Sequence, residues 1–236
     1  MGAIYRREVG AFFTSPIAYV FLAAFYLATG FVFYSSSIYY NTTDMSGVFL
    51  MTFPILLILI PILTMRLFAD EKRLRTEQAL LTAPVRISEM VFGKYFAAVT
   101  LYVCGLAIFF VYALVLQFYA DDLSWSYIIS NILALFLLGC AFISVGLFFS
   151  SLTESQVVAA VLSVFALIFI WLINAIATTL AKYELLADIL LSLSVYSKYQ
   201  EFTNGLFNLS SIIFMLSMIF IFNFLTIRIF DKRRWA

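Results

Sequence analysis

Long stretches without a charged side chain dominate this sequence. No Asp, Glu, Lys or Arg occurs in six windows, which are 9–43, 45–65, 95–120, 123–153, 155–181 and 202–227. Each window is at least 21 residues long, and a helix needs about 20 apolar residues to cross the hydrocarbon core of a bilayer. A membrane-spanning barrel would instead require strands in which apolar and polar residues alternate. The windows therefore predict an all-α membrane protein with six transmembrane helices.

Composition excludes a water-soluble fold and several kinds of chemistry. Only 11% of the residues are charged, whereas a soluble domain has about 25%. Because the chain has no histidine, histidine-based acid–base catalysis and histidine-ligated metal sites are excluded. Gly93-Lys94 is not part of a Walker A loop, since Ser88 and Tyr95 stand where the loop needs Gly and Ser or Thr. We therefore expect no catalytic residue, metal or cofactor in this chain, and no nucleic-acid partner.

The pattern along the chain predicts a single transmembrane domain over 1–236. The predicted spans are 17–40, 47–67, 95–119, 127–150, 156–180 and 206–229. Apolar residues at helical spacing predict an interfacial helix over 2–14, which Pro16 ends. The segment 182–205 is too short in its apolar runs to span and too apolar for a free loop, so we expect one or two short re-entrant helices dipping into the outer leaflet.

The basic residues indicate how the chain is oriented. Of the 14 Lys and Arg residues, 12 fall on the side of the predicted bundle that contains both termini, and only Lys182 and Lys198 fall on the other. The net charge is +5 on the first side and −4 on the second. Lys and Arg are concentrated in cytoplasmic loops, so both termini are predicted to be cytoplasmic.

The only long segment on the basic side is 66–94. Its first part has good helix formers, and Ala83-Pro84 should stop a helix. We expect a helix over 70–82 that lies along the cytoplasmic face and binds a partner. A solvated basic loop that contacts anionic lipid head groups is the alternative, but it does not explain the interspersed acids and leucines.

Two further sets of residues have both a functional and a structural interpretation. Pro54 and Pro61 lie on nearly one face of span two, where they could kink the helix around a cavity or hinge, or simply bend it. The amides and hydroxyl of Gln117, Asn131, Asn174 and Thr178 fall toward the outer half of the membrane. They could line a hydrated vestibule or form hydrogen bonds between helices.

Gly139 and Gly146 indicate a close-packing face on span four.

The uncharged spans also limit the source of energy. Ion-coupled transporters usually have an ionisable residue near the bilayer midplane, and none occurs inside the six windows. Energy for any transport is therefore expected to come from a cytosolic partner.

Several motifs resemble one known family. They are SPIAYVF at 15–21, PILTMRLFADEKR at 61–73, LLTAPV at 80–85, FGK at 92–94 and GLFFSSLTESQVVAA at 146–160. Together they resemble the permease subunits of type 2 ATP-binding-cassette (ABC) exporters, especially the gliding-motility-type branch. Many members have Gly-Thr-Ile-Glu at 75–78, of which only Thr76 is present here.

The resemblance implies a half-transporter in the plasma membrane of a prokaryote. Two permeases would pair in the membrane, and each would bind a cytosolic ATPase subunit that holds ATP and Mg. Closure of the ATPase subunits would push on the coupling helix at 70–82 and open a path lined by spans one, two and five. The implied contacts are Asp70, Glu71, Arg73, Thr76, Glu77, Leu80, Leu81 and Pro84. The family's interfacial and re-entrant elements correspond to 2–14 and 182–205.

Other functional classes remain open at this point. A membrane scaffold could use the same basic face only to recruit partners or lipid, and an ion-coupled carrier would work without ATP. An intramembrane enzyme is disfavoured because no histidine, Ser–Lys pair or carboxylate pair lies at membrane depth. Residue patterns do not identify the transported substrate.

Overall fold

Helices form most of the described chain. A computed structural model describes residues 1–76, 86–118, 124–180, 184–205 and 208–234. Its helices are Gly2–Thr14 (α1), Pro16–Phe33 (α2), Ser46–Thr64 (α3), Arg66–Arg73 (α4), Ile87–Gln117 (α5), Trp125–Leu152 (α6), Gln156–Thr179 (α7), Glu184–Leu193 (α8), Val195–Thr203 (α9) and Leu209–Arg234 (α10). These ranges contain no strand, which confirms the predicted all-α fold for this part of the chain.

Six helical stretches are long and apolar enough to cross a membrane. They are α2 with the π-helical turn Tyr34–Ile38, the continuous stretch of α3 and α4, and the single helices α5, α6, α7 and α10. The six predicted transmembrane helices are confirmed by this length and composition.

A serine and a proline separate α1 from span one. Ser15 has an extended backbone, and its Oγ accepts a hydrogen bond from the backbone N–H of Ile17. Pro16 occupies the first position of α2, where its missing N–H leaves no unmet bond and its fixed φ suits a helix. The chain therefore begins a new helix immediately after α1 ends at Thr14.

Helix α6 is the centre of the bundle because small residues let its neighbours approach closely. In its most apolar stretch 67% of the residues are buried, compared with 17% in α7. A Cβ at Gly139 would overlap the ring of Tyr102 on α5, and one at Gly146 would overlap the side chain of Thr64 on α3. The predicted packing face of α6 is thus occupied by two different helices.

At the end of the bundle opposite the termini, two short helices fold back against the spans. They are α8 and α9, within the segment predicted at 182–205. The buried Tyr199 of α9 donates a hydrogen bond to the carbonyl oxygen of Phe49 on α3 at 2.7 Å. The ring of Phe53 also lies 5.1 Å from that of Tyr196 and 5.8 Å from that of Tyr199. Aromatic packing therefore fixes α9 against α3.

The prediction of an unbroken helix over 70–82 was wrong. Helix α4 ends at Arg73, and the turn at 74–76 includes Arg75 with a φ of +57°. The side chain of Leu74 is exposed, so it adds no buried contact that would favour a further helical turn at 74–76, and short helices without such packing are marginal. The remainder of the predicted helix, at 77–82, lies outside the described residues.

Helix α5 begins at Ile87, which is eight residues before the predicted start of span three at 95. The start of the span itself stays a prediction. The prediction placed Lys94 before the span because a charge is costly inside it, but the structure buries Lys94 inside the helix. That burial is possible because acidic side chains from two other helices contact the lysine.

Candidate coupling site

A serine from span four fixes the junction between α3 and α4. The Oγ of Ser150 accepts hydrogen bonds from the backbone N–H groups of Phe68 at 3.1 Å and Ala69 at 3.2 Å. The same hydroxyl donates to the carbonyl oxygen of Met65 at 2.9 Å. The first N–H groups of a helix lack partners within that helix, so Ser150 caps α4 from a different element. The position of α4 is consequently tied to that of α6.

A buried lysine connects α1, α4 and α5. The side chain of Lys94 is 1% exposed, and its Nζ lies 2.9 Å from Oε1 of Glu71 and 3.1 Å from Oε1 of Glu8. The Nη2 atom of Arg7 lies 2.9 Å from the Glu71 oxygen and 2.6 Å from the Glu8 oxygen. We call these four residues the Lys94 cluster. It contains two cations and two anions, so its formal charges cancel.

The burial of Lys94 makes these ion pairs important. Removing one partner of a buried pair costs about 3–5 kcal/mol, because the other charge is left without compensation. The Lys94 Nζ also lies 5.3 Å from the centre of the Phe68 ring, which adds a cation–π attraction from α4. Lys94 therefore makes three separate contacts with elements other than its own helix.

The electrostatics of Glu8 agree with this geometry. Burial would raise the pKa of Glu8, but the charge of Lys94 and the hydrogen bond from Arg7 outweigh it, so the pKa lies below its usual value of 4.5. Glu8 is consequently ionised at neutral pH and able to pair with both cations.

Three contacts connect the other side of α4 to the rest of the bundle. The amide of Gln156 donates a hydrogen bond to the carboxylate of Asp70. The Nζ atom of Lys72 lies 3.2 Å from the carbonyl oxygen of Leu152, and the rings of Phe68 and Phe230 are 4.6 Å apart. Helix α4 therefore contacts the connection between α6 and α7 as well as the end of α10. We call the end of the bundle formed by α1, α4, this connection and the end of α10 the basic end.

The residues that follow these contacts are the exposed part of the site. The side chain of Arg73 is 63% exposed, and its Nη2 atom lies 3.5 Å from Oδ1 of Asp70. Leu74 is 65% exposed, and Arg75 and Thr76 are exposed as well. The hydroxyl of Thr76 donates a hydrogen bond to the carbonyl oxygen of Glu71 at 3.3 Å, which holds the turn against α4. We call residues 73–76 the exposed tip.

The predicted contact residues divide into three groups. Asp70 and Glu71 are engaged within the chain, whereas Arg73 and Thr76 belong to the exposed tip. The remaining ones lie outside the described residues, and they are Glu77, Leu80, Leu81 and Pro84. The role of all of them in binding an ATPase stays a prediction. Neither the contact between Glu71 and Lys94 nor the capping by Ser150 can be predicted from residue patterns, although Lys94 belongs to the motif FGK and Ser150 to the motif GLFFSSLTESQVVAA.

The polar residues predicted for a vestibule have different surroundings. Gln117 and Thr178 are exposed, and the hydroxyl of Thr178 bonds to a carbonyl of its own helix. Asn131 is buried and donates to the carbonyl of Tyr127 at 2.9 Å. Asn174 is half-buried, with its Oδ1 3.5 Å from the Oγ of Ser194. The vestibule therefore stays a prediction.

Both prolines of span two lie within α3, which is helical through Pro54 and Pro61 to Thr64. The first interruption comes at Met65, after the second proline. Whether either proline kinks the helix stays a prediction.

These features define a class of protein. Six apolar helices of spanning length, with a short helix before span one and a helix that continues from span two at one end, describe a multi-pass membrane protein. Comparison with protein families shows which kind of membrane protein this is. The family model of the ABC-2 family transporter proteins matches residues 27–235. The chain belongs to this family, so it is the transmembrane component of an ABC transporter. Such components pair with an ABC ATPase subunit and are not themselves catalytic. No individual curated protein matches the sequence significantly.

Proposed function

We propose that this chain is the permease subunit of an ATP-driven exporter, of the gliding-motility-type branch, in the plasma membrane of a prokaryote. The basic end faces the cytoplasm, and a cytosolic ATPase subunit binds the exposed tip. Two permeases pair in the membrane and form the path between them.

One observation carries the proposal. Helix α4 continues from span two and is bonded to other parts of the basic end through Ser150, Glu71 and Asp70. The tip follows this fixed base directly, and the side chains of Arg73 and Leu74 are largely exposed. An exposed segment on a fixed base suits an element that receives force from a partner.

The distribution of charge supports the orientation. Twelve of the 14 basic residues lie at the basic end or in the segments joined to it. An excess of Lys and Arg is characteristic of cytoplasmic loops. Two of these twelve residues, Arg73 and Arg75, belong to the exposed tip. The surface of the ATPase that binds the tip should therefore be acidic, with an apolar depression for Leu74.

The contacts of α4 suggest how movement would spread. When ATP binding closes the ATPase subunits, the tip is pushed and α4 moves with it. The Lys94 cluster passes this movement to α5, the capping hydroxyl of Ser150 passes it to α6, and the Phe68–Phe230 contact passes it to α10. The path opens beside spans one, two and five, of which span five has the lowest buried fraction, 17%.

Charge reversal on the tip tests the proposal. The purified complex of Arg73→Glu should lose the ATPase subunit, while the matched control Arg228→Glu should retain it. Arg228 has a similarly exposed side chain, at 65%, near the end of α10. Equal retention by both variants would contradict the docking of the ATPase on the tip. Transport that needs an ion gradient and no ATP would contradict the exporter itself.

A further inference from the structure

Gly93 and Lys94 bring α1 close to α5. A partner could bind the exposed tip without this contact. Both residues of α5 face α1. A Cβ at Gly93 would lie 3.0 Å from Cγ2 of Ile4, so the absence of a side chain lets α1 approach α5 closely. One residue later, Lys94 reaches Glu8 of α1 and Glu71 of α4. The pair thus brings three helices together within two positions.

We propose that Lys94 is a positioning residue that joins α1 to α4, so that the interfacial helix transmits the movement of α4 to span one. This inference rests on the proposed function, since the movement begins at the ATPase. In this scheme α1 moves together with α4 during transport, in addition to anchoring the chain at the membrane surface.

Contacts at the far end of α1 complete the connection. Arg66, the first residue of α4, donates hydrogen bonds to the Oγ of Ser15 at 2.7 Å and to the carbonyl oxygen of Ala11 at 3.2 Å. Its guanidinium also lies 5.0 Å from the centre of the Phe12 ring. Ser15 caps α2, so a displacement of α4 reaches span one through α1 and the residue that begins α2.

Burial distinguishes this connection from an ordinary surface ion pair. The terminal amine of Met1 also pairs with α5, at 2.9 Å from Glu89, but the two side chains are 46% and 41% exposed. Exposed pairs contribute little because water and salt screen them. Lys94 is 1% exposed, so its pairs can hold α1 in position more firmly than the exposed pair of Met1 and Glu89.

Substitutions within the Lys94 cluster can remove the contact of Lys94 with α1 and its contact with α4 separately. In Glu8→Gln, Lys94 keeps Glu71 and loses the charge on α1, whereas in Glu71→Gln it keeps Glu8 and loses the charge on α4. Lys94→Met removes both links that the lysine makes and leaves the partly exposed Arg7–Glu71 pair as the remaining ion pair of the cluster between α1 and α4. Gly93→Val pushes α1 away by its volume without altering any charge. Glu89→Gln is the matched control, because it removes the exposed pair between the same two helices.

The first measurement is hydrogen exchange on the full chain in lipid nanodiscs, without a partner. In Glu8→Gln, Lys94→Met and Gly93→Val, the amides of α1 should exchange at least about tenfold faster than in the unaltered chain. Those of α4 should change in Glu71→Gln and in Lys94→Met but not in Glu8→Gln. Unchanged exchange of α1 in Lys94→Met and Gly93→Val would overturn the inference.

The second measurement is the ATPase activity of the assembled complex. Glu8→Gln and Gly93→Val should still bind the ATPase subunit but lose most of the activation that the permease confers on it, and Glu89→Gln should keep that activation. Normal activation in variants with a loosened α1 would overturn the transmitting role. If the unaltered chain binds no ATPase, the proposed function fails instead, and the exchange measurement separately decides whether Lys94 joins the helices.

Discussion

The ammonium group of Lys94 lies 2.9 Å from the carboxylate of Glu71, and thereby joins span three to the short helix that follows span two. These residues are 23 positions apart, and both lie near the ends of spans where charges are normally solvated. Their pairing in a buried position indicates that α1, α4 and α5 form a fixed assembly at the basic end and not a set of independent segments.

The stability of the fold should depend on this lysine. Lys94→Met leaves Glu71 and Glu8 with only the partly exposed Arg7 as a partner, so the free energy of unfolding should fall by about 3 kcal/mol. Thermal unfolding in detergent measures the change. Lys232→Met, at an exposed position of α10, should leave the midpoint unaltered. An equal effect of both variants would show that the buried pairs contribute nothing specific.

Acid should weaken the same assembly through Glu8. Its pKa in the folded chain is below the usual 4.5, so the unfolded chain binds protons first as the pH falls. The stabilisation is therefore complete above the unfolded pKa of about 4.5 and is lost as the pH falls through the lower, folded pKa. Melting temperatures measured between neutral pH and pH 3 should fall more steeply for the unaltered chain than for Glu8→Gln. Parallel curves would contradict the assigned pairing.

The cap on α4 gives a third prediction. Ser150→Ala removes the acceptor of two buried N–H groups, those of Phe68 and Ala69, and should cost about 2 kcal/mol. Ser217→Ala is the control, because Ser217 is exposed and bonds only to a carbonyl of its own helix among the described contacts. Chemical denaturation compares the two variants, and a cost at Ser217 that matches the cost at Ser150 would count against the cap.

Close packing on α6 gives a fourth prediction. Alanine at Gly139 or Gly146 would place a methyl group in space occupied by Tyr102 or Thr64, so each variant should lose about 1–3 kcal/mol. Gly10→Ala should be tolerated, since no atom lies within 4 Å of a Cβ at that position. Retention of the native melting temperature by Gly139→Ala would mean that α5 and α6 are not packed this closely.

The spans could be predicted from sequence because they depend on local composition. An uncharged window of sufficient length can be recognised without knowing which other parts of the chain it contacts. The helical spacing of apolar residues is likewise enough to predict α1. The two glycines of α6 were interpreted correctly as a packing face for a similar reason. Small residues on an apolar helix have few other uses.

The site was less predictable because it depends on contacts between distant parts of the chain. Lys94 was assigned to a loop, since a lysine in a span is costly unless acids reach it, and those acids come from positions 8 and 71. Glu71 is a partner-binding residue by the family resemblance, which does not reveal its pairing with Lys94. The unbroken helix over 70–82 was expected from helix propensity, which does not reveal that packing ends at Arg73.

Site-specific cross-linking can detect an ATPase subunit bound to the exposed tip at residues 73–76. Cys104 and Cys140 are first replaced by alanine, and Arg73→Cys or Arg228→Cys is then labelled with a thiol-reactive photo-cross-linker, which needs no cysteine on the partner. The labelled chain is illuminated in membranes that contain the complete transporter. We expect an adduct with the ATPase subunit from Arg73→Cys, and none or much less from Arg228→Cys. An adduct that forms equally from both positions, or only from Arg228→Cys, would contradict the account.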